Sequence, residues 1–178
     1  FQSVAKGKWR SGIKHDCSEI MELTENDGKL FNGLGEIVDI ETDFVYPLLK
    51  GSDVANDRVS ETKRFMIVPQ RSVGEETKPL KTIAPKIWSY LESHAIYLDS
   101  RKSKIYQNNP RFSIFGVGSY TFAPWKIAIC SLYKNLKFRL IGQAQSKPIV
   151  FDDTIYFLSF ENYEEAKDVF DFLLSENV

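Results

Sequence analysis

Between Ser18 and Glu41 the apolar residues come in short clusters: Ile20 with Leu23, Leu30 with Phe31, then Ile37, Val38 and Ile40. Asn26-Asp27-Gly28 and Gly33-Leu34-Gly35 separate them, and clusters of that length punctuated by turn residues predict two short strands. In the run Tyr46-Pro47-Leu48-Leu49-Lys50-Gly51-Ser52-Asp53, Pro47 suits a first helical turn and Gly51 a left-handed stop. One or two helical turns are expected there. Lys63 to Pro69 has the apolar density of a buried strand, and the polar stretch from Arg71 to Lys78 reads as a surface loop.

The first long helix is predicted over 80–98. Ile83, Ile87, Tyr90, Leu91 and Leu98 follow the 3.6-residue period, and Thr82 and Pro85 suit its opening. Strand-like runs rich in aromatic and β-branched residues follow at 111–115, 120–129, 137–142, 148–151 and 154–160. A closing helix over 163–174 has Asn162 as its cap and Glu165 three residues on. Ala166, Val169, Phe170, Leu173 and Leu174 lie on one side of it and acidic residues on the other. No internal repeat or low-complexity segment interrupts the pattern. The predicted fold class is α+β, a mixed and mainly antiparallel sheet packed with two main helices. One domain over 1–178 is expected, with 1–30 as a lead-in segment.

Composition adds bounds. The chain has 178 residues, 43% of them apolar, enough for a real core. It has no apolar run of about 18 residues and no basic-then-apolar opening, so no membrane partner is expected. Cys17 and Cys130 lie too far apart in a chain of this size to mark a disulfide framework or a paired metal site, and a cytoplasmic location is the expectation. Without an initiator Met, the segment reads as a piece of a longer chain.

Charge changes the picture more. The net charge is −1, yet residues 99–147 carry 9 Lys and Arg against a single acid, and residues 148–178 carry one against 8. A cationic middle third makes a local field able to steer a phosphate backbone. The alternative is a protein-interaction domain whose basic segment docks on an acidic surface, such as the acidic C-terminal helix of the same chain.

Several short patterns invite a chemical reading. Glu61-Thr62-Lys63 and Glu76-Thr77-Lys78, with Asp53 and Asp57 upstream, have the residue types of a metal-dependent nuclease, in which carboxylates hold a divalent ion and a lysine positions the attacking water. A nuclease on Asp57, Glu76 and Lys78 stands as the enzymatic alternative. Asn109-Pro110-Arg111-Phe112 is similar to the motif by which adenine methyltransferases hold a flipped base, but Arg111 replaces its second proline. Phe115-Gly116-Val117-Gly118 has the look of a cofactor turn without the alternating βα units around it. His15 and His94 lack zinc or triad spacing, and Met21 and Met66 read as core filler. What remains is a basic segment interleaved with aromatics, a composition that suits nucleic acid.

Five ordered blocks carry a family resemblance: YPLLKGSDV from Tyr46, KRFMIVPQ from Lys63, LDSRKSKIY from Leu98, FSIFGVGSYTFAPWKIAI from Phe112 and KPIVFDDTIYFL from Lys147. Together they resemble the C-terminal target recognition region of bacterial DNA adenine-N6 methyltransferases of the Eco57I and TaqI kind, found in type II and type IIG restriction–modification systems. The resemblance implies a module that grips double-stranded DNA and selects the site, while a separate catalytic methyltransferase domain of the same parent chain carries S-adenosylmethionine. No catalytic residue and no cofactor are then expected in this segment. On this reading Arg101, Lys102 and Lys104 are the first candidates for phosphate contacts, with Ser103 and Tyr106 as hydroxyl positioners. Lys126, Lys134, Lys137 and Arg139 come second, and Lys50 with Ser52 offers a further phosphate clasp.

Overall fold

The computed structural model describes residues 8–130 and 137–175. The chain is α+β and mostly antiparallel, as the pattern predicts, but among the described residues it builds two sheets. The smaller holds β1 (Arg10–Ser11), β10 (Ile155–Phe160), β7 (Trp125–Cys130) and β8 (Arg139–Ile141), in that order and antiparallel throughout. The larger runs β4 (Ile37–Val38), β3 (Lys29–Phe31), β2 (Glu22–Asn26), β6 (Arg64–Ile67), β5 (Val45–Leu49), β9 (Val150–Phe151). Its pairs are antiparallel except β5 with β9, where Leu48 and Leu49 lie parallel to Val150 and Phe151. No helix among the described residues is long and apolar enough to cross a membrane.

Local chemistry explains several elements. Asp27 and Gly28 both take positive φ, 49° and 73°, and close the β2–β3 hairpin in two residues. The segment 18–41 holds three strands instead of two, preceded by a helical turn, α1 (Ser18–Met21). The helical turn expected at Tyr46 is instead strand β5, five consecutive buried residues held between β6 and β9. A short apolar run does not by itself distinguish a buried strand from a buried helix. Gly51 opens α2 (Gly51–Ala55) and does not stop a helix; a Cβ there would meet the Cys130 sulfur at 2.8 Å.

The helix expected over 80–98 breaks into α3 (Leu80–Ile83), α4 (Pro85–Ser93) and α5 (Ala95–Asp99). Ala84, before Pro85, is pushed out of helical geometry to φ −145°, ψ 66°. The break turns Ile83 away from the core, 62% exposed, whereas Ile87, Leu91 and Leu98 are buried as the stripe predicts. The run 111–115 forms no strand, only a bridge from Phe115 to Lys14. The closing helix, α6 (Tyr163–Ser175), is capped as expected: Asn162 Oδ1 accepts from Glu165 N at 2.8 Å. Its Val169, Phe170 and Leu173 cover the outer face of the smaller sheet at Ile127 and Leu158, while Leu174 stays exposed.

Three chain segments cross where the sheets meet. Ile13 N donates to Phe151 O at 2.7 Å, and Lys14 and Phe115 exchange two backbone bonds of 2.9 Å. Gly12 and Gly116 lie at the crossing. A Cβ on Gly12 would fall on the Asp152 carbonyl, and one on Gly116, at φ +69°, on the Gly12 carbonyl.

Candidate nucleic-acid interface

The segment from Ser100 to Ser113 leaves α5, forms a 3-10 turn at Lys104–Tyr106 and returns to the crossing at Phe115. Arg101 is not on its surface. Its Nε donates to Leu98 O at 2.8 Å, and one terminal nitrogen donates to Ser113 O at 2.7 Å and His15 O at 3.1 Å. Its guanidinium lies 3.7 Å from the centre of the Tyr106 ring. Burial pulls the Arg101 pKa below its ordinary value and pushes the Tyr106 phenol up, the latter helped by the nearby Asp16 carboxylate. Both are fasteners inside the loop, which corrects their expected role as a phosphate contact and a hydroxyl positioner. Lys102 and Lys104 are exposed and, among the described residues, make no ion pair, and Ser103 is half-buried between them.

The other basic candidates divide the same way. Lys126, expected at the surface, is 2% exposed, its side chain on the face of β7 shared with Ala128 and Cys130. Nζ donates to Ala123 O and Ile149 O, both at 2.8 Å, about 6 Å from the Phe151 and Phe157 rings. Burial lowers its pKa to about 7. On unfolding such a lysine takes up a proton at neutral pH, so its contribution makes stability rise with pH between about 7 and 10.5. Raising the pH from about 7 to about 8.5 should therefore stabilise the wild type by about 1–2 kcal/mol more than Lys126→Met. Urea unfolding of both at each pH decides it; equal gains would show that this amine is charged in the fold.

Arg139 is held by Asp57, Nε to Oδ1 at 2.7 Å, and Arg111 by Asp99 at 2.8 Å. Lys147 donates to Thr42 O and to Val45 O, the latter at 2.9 Å. Lys137 is exposed, and Lys134 lies outside the described residues. Thus five of the nine cations in residues 99–147 are engaged within the protein, and the continuous cationic ridge that composition suggests is not formed. No ion pair among the described residues joins this segment to α6, whose Lys167 pairs with its own Asp171 at 2.5 Å. The helix meets this segment through apolar side chains, Val169, Phe170 and Leu173 with Ile127, Phe138 and Leu140, and not by pairing its acids with the basic residues.

Lys50 is not free for the expected clasp with Ser52 either. Lys50 Nζ donates to both oxygens of Glu22, at 3.0 and 2.9 Å, and Glu22 Oε1 also lies 3.1 Å from His15 Nε2. Cys17 N donates to His15 Nδ1 at 3.1 Å, which places the ring proton on Nε2, facing the carboxylate. Burial opposes the Glu22 charge, but the bonds from His15 and Lys50 outweigh it and hold the carboxyl below its usual range. The Ser52 carbonyl accepts from Asn56 at 2.8 Å.

The nuclease reading finds no assembled site. Asp57 is tied to Arg139, Asp53 to Arg64 at 2.7 Å, and Glu76 lines a separate cleft with Asp43 and Arg71. Among the described residues no three His, Cys, Asp or Glu side chains gather as a metal-binding group. Nor does the FGVG turn fit a cofactor such as S-adenosylmethionine: Gly116, its one glycine with positive φ, is packed on the Gly12 carbonyl, which leaves no cradle there, and among the described residues no alternating βα sheet surrounds it.

No family model matches the chain. It is 61% identical over 159 residues to the Type II methyltransferase M.NspV of Nostoc sp., a match covering 89% of this chain and 33% of that protein. The chain thus spans about a third of the curated relative's length. Its fold matches part of the Type IIL restriction–modification enzyme MmeI, solved in complex with DNA, at TM-score 0.52 and 9% identity, covering 86% of this chain and 19% of that one. The chain is therefore similar to one part of a restriction–modification methyltransferase and shares its fold with one part of a restriction–modification enzyme.

Proposed function

We propose that this chain is the target recognition module of a site-specific DNA adenine-N6 methyltransferase or restriction–modification enzyme, binding double-stranded DNA in the cytoplasm. The observation that carries the reading is the extent of the 61% identity: nearly all of this chain, but only a third of a Type II methyltransferase. Among its described residues this chain builds two mainly antiparallel sheets and no nucleotide-binding βα sheet. Methyl transfer and S-adenosylmethionine therefore belong to the remaining part of the parent chain, which is also this module's intramolecular partner. The target adenine would be turned out of the duplex into that part while this one holds the DNA.

Lys102 and Lys104 are the phosphate contacts on this reading, with Ser103 between them, and Lys137 and Lys134 lie on the second candidate segment. In the full-length parent, the double variant Lys102→Ala, Lys104→Ala should flatten the slope of log binding constant against log salt by about 0.9 for each phosphate that is no longer neutralised. Its thermal stability should match the wild type, because both side chains are exposed and, among the described residues, neither amine has a bonding partner. An unchanged slope would remove both lysines from the DNA.

A further inference from the structure

The loop over 102–110 differs from the rest of the basic segment in what it leaves free. Its base is closed twice. Arg101 bonds the carbonyls of Leu98 and Ser113, on either side of the loop, and Arg111 pairs with Asp99 across the same opening. Gln70 Oε1 accepts from Ile114 N at 2.8 Å, and the Thr77 hydroxyl donates to Arg111 O at 2.5 Å, fixing the returning segment from the other side. Phe112 holds φ +66° while buried against Trp88, a conformation that persists in a bulky residue only when its surroundings enforce it. Inside the loop, Tyr106 packs edge-on against Phe115, ring centres 5.5 Å apart. Asn109 Nδ2 bonds Ile105 O at 2.7 Å, the usual self-bonding of an asparagine in a turn.

The neighbouring amides behave differently. Gln107 and Asn108 are exposed, and among the described residues neither side chain has a hydrogen-bond partner. Ile105, 38% exposed, lies beside them, and Lys102 and Lys104 flank the group. A loop clamped at its base therefore holds two exposed carboxamides and one exposed methyl-bearing side chain beside two exposed cations, none of the four polar groups bonded among the described residues. That chemistry matches one base pair. In the major groove an A·T pair presents adenine N6–H and N7, which a carboxamide meets with its oxygen and its N–H, and a thymine methyl, which an aliphatic side chain covers. A loop whose backbone is already clamped meets such a pair without the cost of ordering its main chain.

We propose that the loop over 102–110 is a reading element for the major groove, with Gln107 and Asn108 as specificity-determining residues for an A·T pair and Ile105 against its thymine methyl. This rests on the target-recognition reading and goes beyond it by assigning the residues and the base pair. Arg101 and Arg111 are positioning residues, acting only through the loop's shape.

The test uses the full-length parent methyltransferase, assayed on its site and on every single-base variant of it. Gln107→Ala or Asn108→Ala should relax discrimination at one A·T position by about tenfold while leaving the melting temperature and the salt slope unchanged. 7-Deazaadenine, which lacks the N7 acceptor, should cost the wild type a similar factor at that position and cost the amide variant nothing further. If both variants keep wild-type discrimination at every position while photo-cross-linked DNA still labels other peptides of this chain, the loop is not the reader and the module assignment stands. If no peptide of this chain is labelled, the module assignment itself fails.

Discussion

Gly116→Ala is expected to lower the free energy of unfolding by about 3–5 kcal/mol, enough to leave much of a marginally stable protein unfolded at 37 °C. Two causes act at this position. The residue holds φ +69°, which a side chain tolerates poorly, and its missing Cβ is where the Gly12 carbonyl sits. The obstacle is backbone carrying the bridges that join residues 12–14 to Phe115 and Asp152, so no side-chain rotation relieves it. Gly74→Ala is the control: φ is +82°, but nothing lies within 4 Å of a Cβ. It should lose about 1 kcal/mol. Urea unfolding of the two variants separates conformational strain from steric exclusion; equal losses would refute the close crossing.

Arg101→Ala should cost about 2–4 kcal/mol, since it strips a charged donor from three carbonyls in a half-buried site. Arg101→Lys should recover only part of it, because a single ammonium cannot serve Leu98, Ser113 and His15 in the fork geometry of a guanidinium. The same variants separate a fastener from a DNA contact. A residue that only bound phosphate would change the salt slope and leave the unfolding midpoint alone, whereas loss of Arg101 should lower the midpoint.

The legible parts of the fold are those coded locally. The Asp27-Gly28 hairpin, the β6 strand and the α6 cap each depend on residues within a few positions of one another. The start of the run from Tyr46 to Asp53 reads as a helical turn in isolation because the strand character of Tyr46 to Leu49 comes from β6 and β9 on either side, the latter more than a hundred residues away. The helix expected over 80–98 contains its own breaking point in Pro85, which suits a helix start and therefore also marks an end before it. For the site, the exposure of Lys102 and Lys104 follows from the polar run around them. The burial of Lys126 is readable in part, since it shares strand parity with Ala128 and Cys130. Nothing local announces that Arg101 reaches His15, 86 positions away, or that Arg139 meets Asp57. Composition counts charges, but tertiary structure decides which of them remain in water.

The two sheets are completed late in the sequence. β9 closes one side of β5, and β10 supplies the strand between β1 and β7, so residues 150–160 contribute to both. While the ribosome is still making that stretch, β1 has no neighbour and β7 has only β8. The nascent polypeptide must therefore wait, with open strand edges exposed to other chains, until residues 150–160 have emerged. Heterologous synthesis at reduced temperature, or with a chaperone holding those edges, should raise the yield of folded protein for that reason.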